Sequence, residues 1–280
     1  MFPRAAPSPT RSAAALRRRR RHGRVIARRH GLAAMLAAVL AASTASADGP
    51  WRPAQGQRLD LQILPPLDLA RPVDVLALDP FATSPDQVRR LSVKGIATVC
   101  HLAAGVWESW RPDAFAFPQG VLGRNVPGRP GTRRLEVGDP AVLPLLERRL
   151  DLCRERGFAG VLLAGFESGP AAPALPGFVG ALAAAARARG LAVGAFGEPA
   201  SIQGLAGVLD FAVAADCLAA MPGCVAAART FRAAGKPVWL VAYTNATARM
   251  TALCAEAAGA GATVLFKTAT LTGRLHRRCG

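Results

Sequence analysis

No aspartate or glutamate precedes Asp48, and that absence accounts for most of an extreme charge. The chain of 280 residues carries a formal +17. Ten arginines (Arg4, Arg11, Arg17 to Arg21, Arg24, Arg28 and Arg29) lie in this acid-free head, and without them 25 cations face 18 acids, a balance of +7. The cysteines form no Cys-x-x-Cys pair and have no histidine cluster nearby, so zinc binding finds no support and no metal is expected. No glycine-rich phosphate fingerprint follows the first strand-like run, which weighs against a dinucleotide-binding fold. No internal repeat is present. The apolar run at residues 32–42 is too short to anchor the chain in a bilayer.

What is present at the head has the three parts of a secretory signal. A basic region is followed by the apolar run and then by the small-residue triplet Ala45-Ser46-Ala47. Arg28-Arg29-His30-Gly31-Leu32 also resembles a twin-arginine signal. Residues 1–47 are therefore read as a signal peptide, removed after Ala47, and the mature protein as periplasmic or extracellular, with no membrane attachment after cleavage. Nucleic-acid binding is disfavoured because the arginine run leaves with the signal. It would require the mature surface to gather its arginines into an aromatic-bearing stripe. Export also favours disulfides among the six cysteines, all of which lie beyond residue 47. Six cysteines allow about 15 pairings. Cys217 and Cys224 are close enough to staple a short loop, and Cys279 could tie down the C-terminus through Cys254.

Residues 48–72 are proline-rich and read as an extended leading segment, with one candidate strand at 57–64. From residue 73 to 280 a rhythm appears. Short, nearly continuous apolar runs at 73–79, 96–102, 160–164, 191–196, 211–215, 238–243 and 263–267 read as strands covered on both faces. Helical segments are expected at 85–94, 141–156, 178–189, 225–234 and 246–258, several closed by a glycine such as Gly95 or Gly157. Alternation of this kind implies parallel βαβ units. Seven runs, with 57–64 as an eighth, suit an α/β (β/α)8 TIM barrel with helices outside. The Gly/Pro/Arg-rich stretch 118–140 reads as a long loop.

In a parallel barrel the working residues stand at the C-terminal strand ends. Those ends offer Asp79, His101, Glu108, Glu167, Glu198, Asp216, Tyr243 and Lys267. Several carboxylates at one mouth suit sugar chemistry, which needs a proton donor and a nucleophile or base. Trp107 and Trp110, in the dense cluster Trp107-Glu108-Ser109-Trp110-Arg111-Pro112-Asp113, could stack on a sugar ring or plug the mouth.

The run Ala104-Gly105-Val106-Trp107-Glu108-Ser109-Trp110-Arg111-Pro112-Asp113, with Phe117-Pro118 and Val121-Leu122-Gly123, resembles the endo-α-1,4-polygalactosaminidase family of glycoside hydrolases. So do the stretch Val75 to Ser84, Arg149-Leu150-Asp151, Phe211-Ala212-Val213, and Cys217, Cys224, Lys267 and Cys279. The resemblance implies a secreted TIM-barrel protein acting on galactosamine-containing polysaccharide, with no cofactor. It also exposes departures. Leu162-Leu163-Ala164-Gly165 stands where the family has Glu-Pro-Asp-Asn. Phe196-Gly197-Glu198 replaces Lys-Asn-Asp, and Ala214-Ala215-Asp216-Cys217 replaces Asn-Glu-Glu-Cys. Ala242 takes the place of a glutamate, and Ala77 that of the first of two aspartates. A retained scaffold with erased charge is the pattern of a pseudoenzyme that keeps carbohydrate affinity. The alternative is an active glycosidase using a rearranged pair, Glu198 and Asp216, with Glu167 in reserve; Asp79, His101, Trp107, Glu108, Trp110, Tyr243 and Lys267 would contact substrate. A third reading, a barrel that only binds partners, expects Phe196, Leu162 and Leu163 to fill the mouth. Cleavage after Ala47 predicts Asp48 as the first residue of the exported protein, which intact-mass analysis of the recovered product checks.

Overall fold

The computed structural model describes residues 50–166, 174–243 and 247–279. The expected signal peptide, Glu167 and the expected start of the last helix at Ala246 lie outside the described residues. Eight strands form one parallel ladder series: β1 (Leu59–Gln62), β2 (Val75–Leu78), β3 (Ala97–Ala103), β7 (Gly160–Ala164), β8 (Ala192–Gly197), β9 (Phe211–Ala214), β10 (Val238–Tyr243) and β11 (Thr263–Lys267). Each expected strand is found, and the fold is a (β/α)8 TIM barrel. The candidate strand at 57–64 is β1, so the barrel begins within the proline-rich segment rather than at residue 73.

Helices α1 (Pro85–Val93), α2 (Val142–Glu155), α3 (Leu175–Ala188), α5 (Met221–Ala233) and α6 (Thr247–Ala258) cover the outside. A short helix, α4 (Pro199–Gln203), escaped the sequence pattern because one turn and a half shows no periodicity. Ser84 caps α1, accepting from the Gln87 amide while the Gln87 side chain accepts from the Ser84 amide, a reciprocal pairing that satisfies two otherwise orphaned donors. Gly95 and Gly157, which close α1 and α2, take φ of 77° and 84°, where a side chain would be strained.

Alternation along each strand separates two cores. Val75, Ala77, Val99, Leu162, Phe196, Val213, Val241 and Leu265 fill the barrel, while Leu76, Leu78, Cys100, Leu163, Ala195 and Ala242 pack against helices. The N-terminal end is sealed by Trp51, Phe211 and Trp239, whose rings meet edge-on at centroid distances of 5.7 and 5.9 Å. Gly194 makes room for this plug: a Cβ there would lie 2.2 Å from the Phe211 ring.

Between β11 and β1 the barrel is closed without a ladder. The Ile63 amide donates to Leu271 O at 2.8 Å, Leu64 bridges Thr272, and buried Lys267 donates to Asp60 at 2.8 Å and to Thr272 O at 2.8 Å. Asp60, fully buried, also accepts from Gln62 at 2.8 Å and lies 3.3 Å from Arg71 and 3.2 Å from His276. Burial works to raise the Asp60 pKa, but His276, Lys267 and Gln62 together overcome it and hold it below the usual carboxylate value. Three disulfides pin helices and tail: Cys100 to Cys153 joins β3 to α2, Cys217 to Cys224 staples the turn before α5, and Cys254 to Cys279 ties the C-terminus to α6. The 53-residue separation of the first makes it the most effective of the three at restricting the unfolded chain, by about 4 kcal/mol on loop entropy alone.

The stretch 118–140 is not a plain loop. Strands β5 (Leu122–Asn125) and β6 (Thr132–Leu135) pair with β4 (Val106–Glu108) in a separate antiparallel sheet, order β4-β6-β5. Arginines and glycines disguised these strands, because their pairing partners rather than their own propensity make them extended.

Removing one partner of the seam pair leaves the other buried and uncompensated. Asp60→Asn or Lys267→Met is expected to lose about 3–5 kcal/mol of stability, and the double variant less than the sum of the two. Urea denaturation at neutral pH measures this; unchanged stability for Lys267→Met would contradict a structural role.

Candidate functional site

The C-terminal strand ends surround an open cleft of about 970 Å³. Its walls include Asp79, His101, Glu108, Trp110, Glu198, Asp216 and Tyr243. Seven of the expected site residues are thus brought together. Lys267 is not among the wall residues, being buried against Asp60. Trp107 also lies off the wall: it packs on the helix-side core and its indole donates to Ala114 O at 3.0 Å. The mouth is not plugged. Phe196 lines the cleft, but Leu162 is inside the barrel below it and Leu163 points to the helices.

Arg111 organises one wall. Its guanidinium pairs with Asp79 and, through Nε at 2.6 Å, with Glu108. Asp79 further accepts from the Phe81 amide at 2.8 Å and the Ala82 amide at 3.3 Å, so both of its oxygens are engaged. Burial opposes the Arg111 charge, yet Asp79 and Glu108 outweigh it and hold the guanidinium pKa above its ordinary value. The loop bearing Arg111 is anchored from behind by Arg149 on α2, which is 2% exposed. Arg149 grips both Asp113 oxygens at 2.7 and 2.9 Å, donates to Ala103 O at 2.9 Å and lies 4.9 Å above the Phe117 ring. Arg111, Arg129 and Thr132 are cleft residues that the strand-end rule missed. Arg111 and Arg129 sit in loops, and Thr132 lies on a strand outside the barrel. The run from Trp107 to Asp113 was the available signal for Arg111.

Glu198 and Asp216 follow β8 and β9 and are exposed. Asp216 takes φ of 57°, a left-handed conformation that Asp tolerates better than most residues. Between them and the β3 end, the cleft floor is Ala103, Ala164, Gly165 and Ala215. Gly165 and Gly105 cross so closely that a Cβ on Gly105 would lie 2.4 Å from Gly165 O. Ala164 occupies the strand end where the resemblance places an acid. Ala242, by contrast, faces the helices, and a glutamate there would not reach the cleft. Among the described residues no three His, Cys, Asp or Glu side chains gather as metal ligands.

Alternation on β3 turns Cys100 outward to its disulfide and His101 inward, where its ring meets Phe196 edge-on at 5.9 Å. Burial, with Arg111 and Arg129 adding to it and Asp79 opposing, lowers the His101 pKa to about 4.

A sequence profile of glycoside-hydrolase family GH114 matches residues 40–280. Among solved structures, Aspergillus fumigatus Ega3 in complex with galactosamine superposes with a TM-score of 0.73 at 24% identity, covering 82% of this chain and 98% of that one. The glycoside hydrolase domain of PelA from Pseudomonas aeruginosa gives a TM-score of 0.59 at 19% identity over the same shares. Both share the fold. No curated protein matches the chain.

His101 is expected to stay neutral from pH 7 down to about 5. The folded pKa lies below the unfolded value of about 6.5, so the unfolded chain binds the proton first. Stability is therefore full above about pH 6.5 and falls as pH drops toward 4. A histidine-resolved proton NMR titration reads the midpoint; a value near 6.5 would contradict the burial.

Proposed function

Because this chain belongs to glycoside-hydrolase family GH114, we propose that it is an exported, carbohydrate-binding relative of the polygalactosaminidases with little or no hydrolytic activity. Glycosidic cleavage needs two carboxyl groups flanking the bond, one to give a proton and one to attack or to activate water. The observation that carries the proposal is the state of the enclosed acids. Asp79 and Glu108 are both tied to Arg111, and the floor beside them is alanine and glycine. Glu198 and Asp216 stand exposed just beyond their strand ends rather than enclosed in the cleft wall.

Sugar binding asks less. The cleft of about 970 Å³ holds several saccharide units. Trp110, 58% exposed, offers a stacking face, and Tyr243 a further aromatic contact. The Ega3 structure contains galactosamine, which supports an amino-sugar polymer as ligand. Export is supported by the three disulfides, since such bonds persist in oxidising compartments. A second reading, hydrolysis by Glu198 and Asp216, rests on their lining the same cleft.

Incubation of the purified protein with a partly de-N-acetylated galactosamine polymer distinguishes the two. Retention on the immobilised polymer without new reducing ends is expected, with Trp110→Ala weakening retention about tenfold. Product release that disappears in Glu198→Gln or Asp216→Asn would overturn the proposal.

A further inference from the structure

The three disulfides differ in their contact with solvent. Cys100, Cys153, Cys217 and Cys224 are all 0% exposed, whereas Cys254 and Cys279 are both half-buried. Only the third bridge therefore joins residues that a dissolved thiol can approach in the folded protein. It also closes the end of the chain. β12 (Arg277–Arg278) is exposed at both residues and pairs antiparallel with Phe266 and Leu265 of β11, and the Cys279 amide donates to Val264 O at 3.0 Å. A ladder of this length is marginal by itself, so the covalent link to α6 is what keeps β12 seated.

A cation stands beside this bridge. Residues two apart on a strand share a face, and both Arg277 and Cys279 meet α6: the Arg277 guanidinium lies 4.0 Å from Met250 Sδ, one helical turn before Cys254. A nearby guanidinium favours thiolate over thiol, and the more stable thiolate leaves a disulfide faster. Cys254 sits toward the carbonyl end of α6, which disfavours negative charge. Cys279 is accordingly the better leaving group, and attack falls on Cys254 Sγ. The tail before β12 is held by contacts of another kind. The Gly273 amide donates to Pro66 O at 2.8 Å, Lys267 donates to Thr272 O at 2.8 Å, and His276 lies 3.2 Å from buried Asp60.

We infer that the Cys254–Cys279 bridge is a thiol-exchange site that opens the end of the chain and leaves the cleft closed. The thiolate of a low-molecular-weight thiol forms a bond to Cys254 Sγ, the protein bridge breaks, and its electron pair leaves on Cys279 Sγ, which takes up the proton the incoming thiol gave to water. A second thiol attacks the mixed disulfide and releases Cys254. Two small thiols are thereby oxidised to one disulfide, and the protein bridge is reduced by two electrons to two thiols. β12 then separates from β11, while the seam from Ile63 to His276 stays in place.

Incubation of the folded, purified protein with 2-mercaptoethanol, quenched with acid at intervals and mapped by mass spectrometry, tests the assignment. The mixed disulfide is expected on Cys254, followed by free Cys254 and Cys279, at a rate at least about tenfold above that of any product at the other four cysteines. Arg277→Gln is expected to slow release about threefold, the effect of raising the leaving thiol's pKa by about one unit. Hydrogen exchange of the reduced protein is expected to speed up at the Cys279 amide and to stay unchanged at the Ile63 amide, which donates to Leu271 O. Reaction of a buried bridge at the same rate, or no reaction without denaturant, would overturn the site. The small thiol found on Cys279, or an unchanged rate in Arg277→Gln, would overturn the direction of attack. Equal acceleration of exchange at Ile63 would overturn the confinement of opening to β12.

Discussion

Closure of the barrel at its weakest seam depends on the buried pair Asp60 and Lys267. Seven neighbouring strand pairs are laddered, whereas among the described residues β11 and β1 share no ladder and their seam carries a few amide contacts and this ion pair. Asp60 is contacted by more than Lys267, with Arg71 at 3.3 Å and His276 at 3.2 Å, and its hydrogen bonds and the Lys267 charge outweigh burial and hold its pKa below the usual carboxylate value. The segment from Ile63 to Pro65 and the segment from Ala269 to Leu271 both line the cleft, so the geometry of the mouth is tied to the seam. A lysine that resembles a family position is here part of the scaffold.

Two arginines, Arg149 and Arg111, do for the mouth what Asp60 does for the seam. Arg149, buried on α2, fixes the loop that carries Trp110 and Arg111, and Arg111 then draws Asp79 and Glu108 together. Both carboxylates help to fix one wall. The electrostatic result is a cleft divided in two, one side with its acids paired to Arg111 and the other with Glu198 and Asp216 exposed.

Alanine at a barrel mouth carries no desolvation cost. Ala164, at the end of β7, and Ala215, just beyond β9, need no hydrogen-bond partners where carboxylates would. The scaffold is held by hydrophobic packing on both faces of the sheet and by three disulfides.

Much of this was legible from the residues alone. Apolar runs separated by helical segments determined the parallel barrel, since strands buried on both faces admit few polar residues, and the rule that function gathers at C-terminal strand ends located Asp79, His101, Glu198, Asp216 and Tyr243. Spacing along the chain could not decide what faces what across it. Whether Lys267 meets a sugar or Asp60, whether Trp107 or Trp110 looks into the cleft, and that Arg111 consumes two acids were settled by contacts between residues up to 207 positions apart. Strands β5 and β6 were hidden for the same reason. Local composition sets which way a side chain prefers to go, while the partner that satisfies its charge or hydrogen bond arrives only when distant segments close on one another.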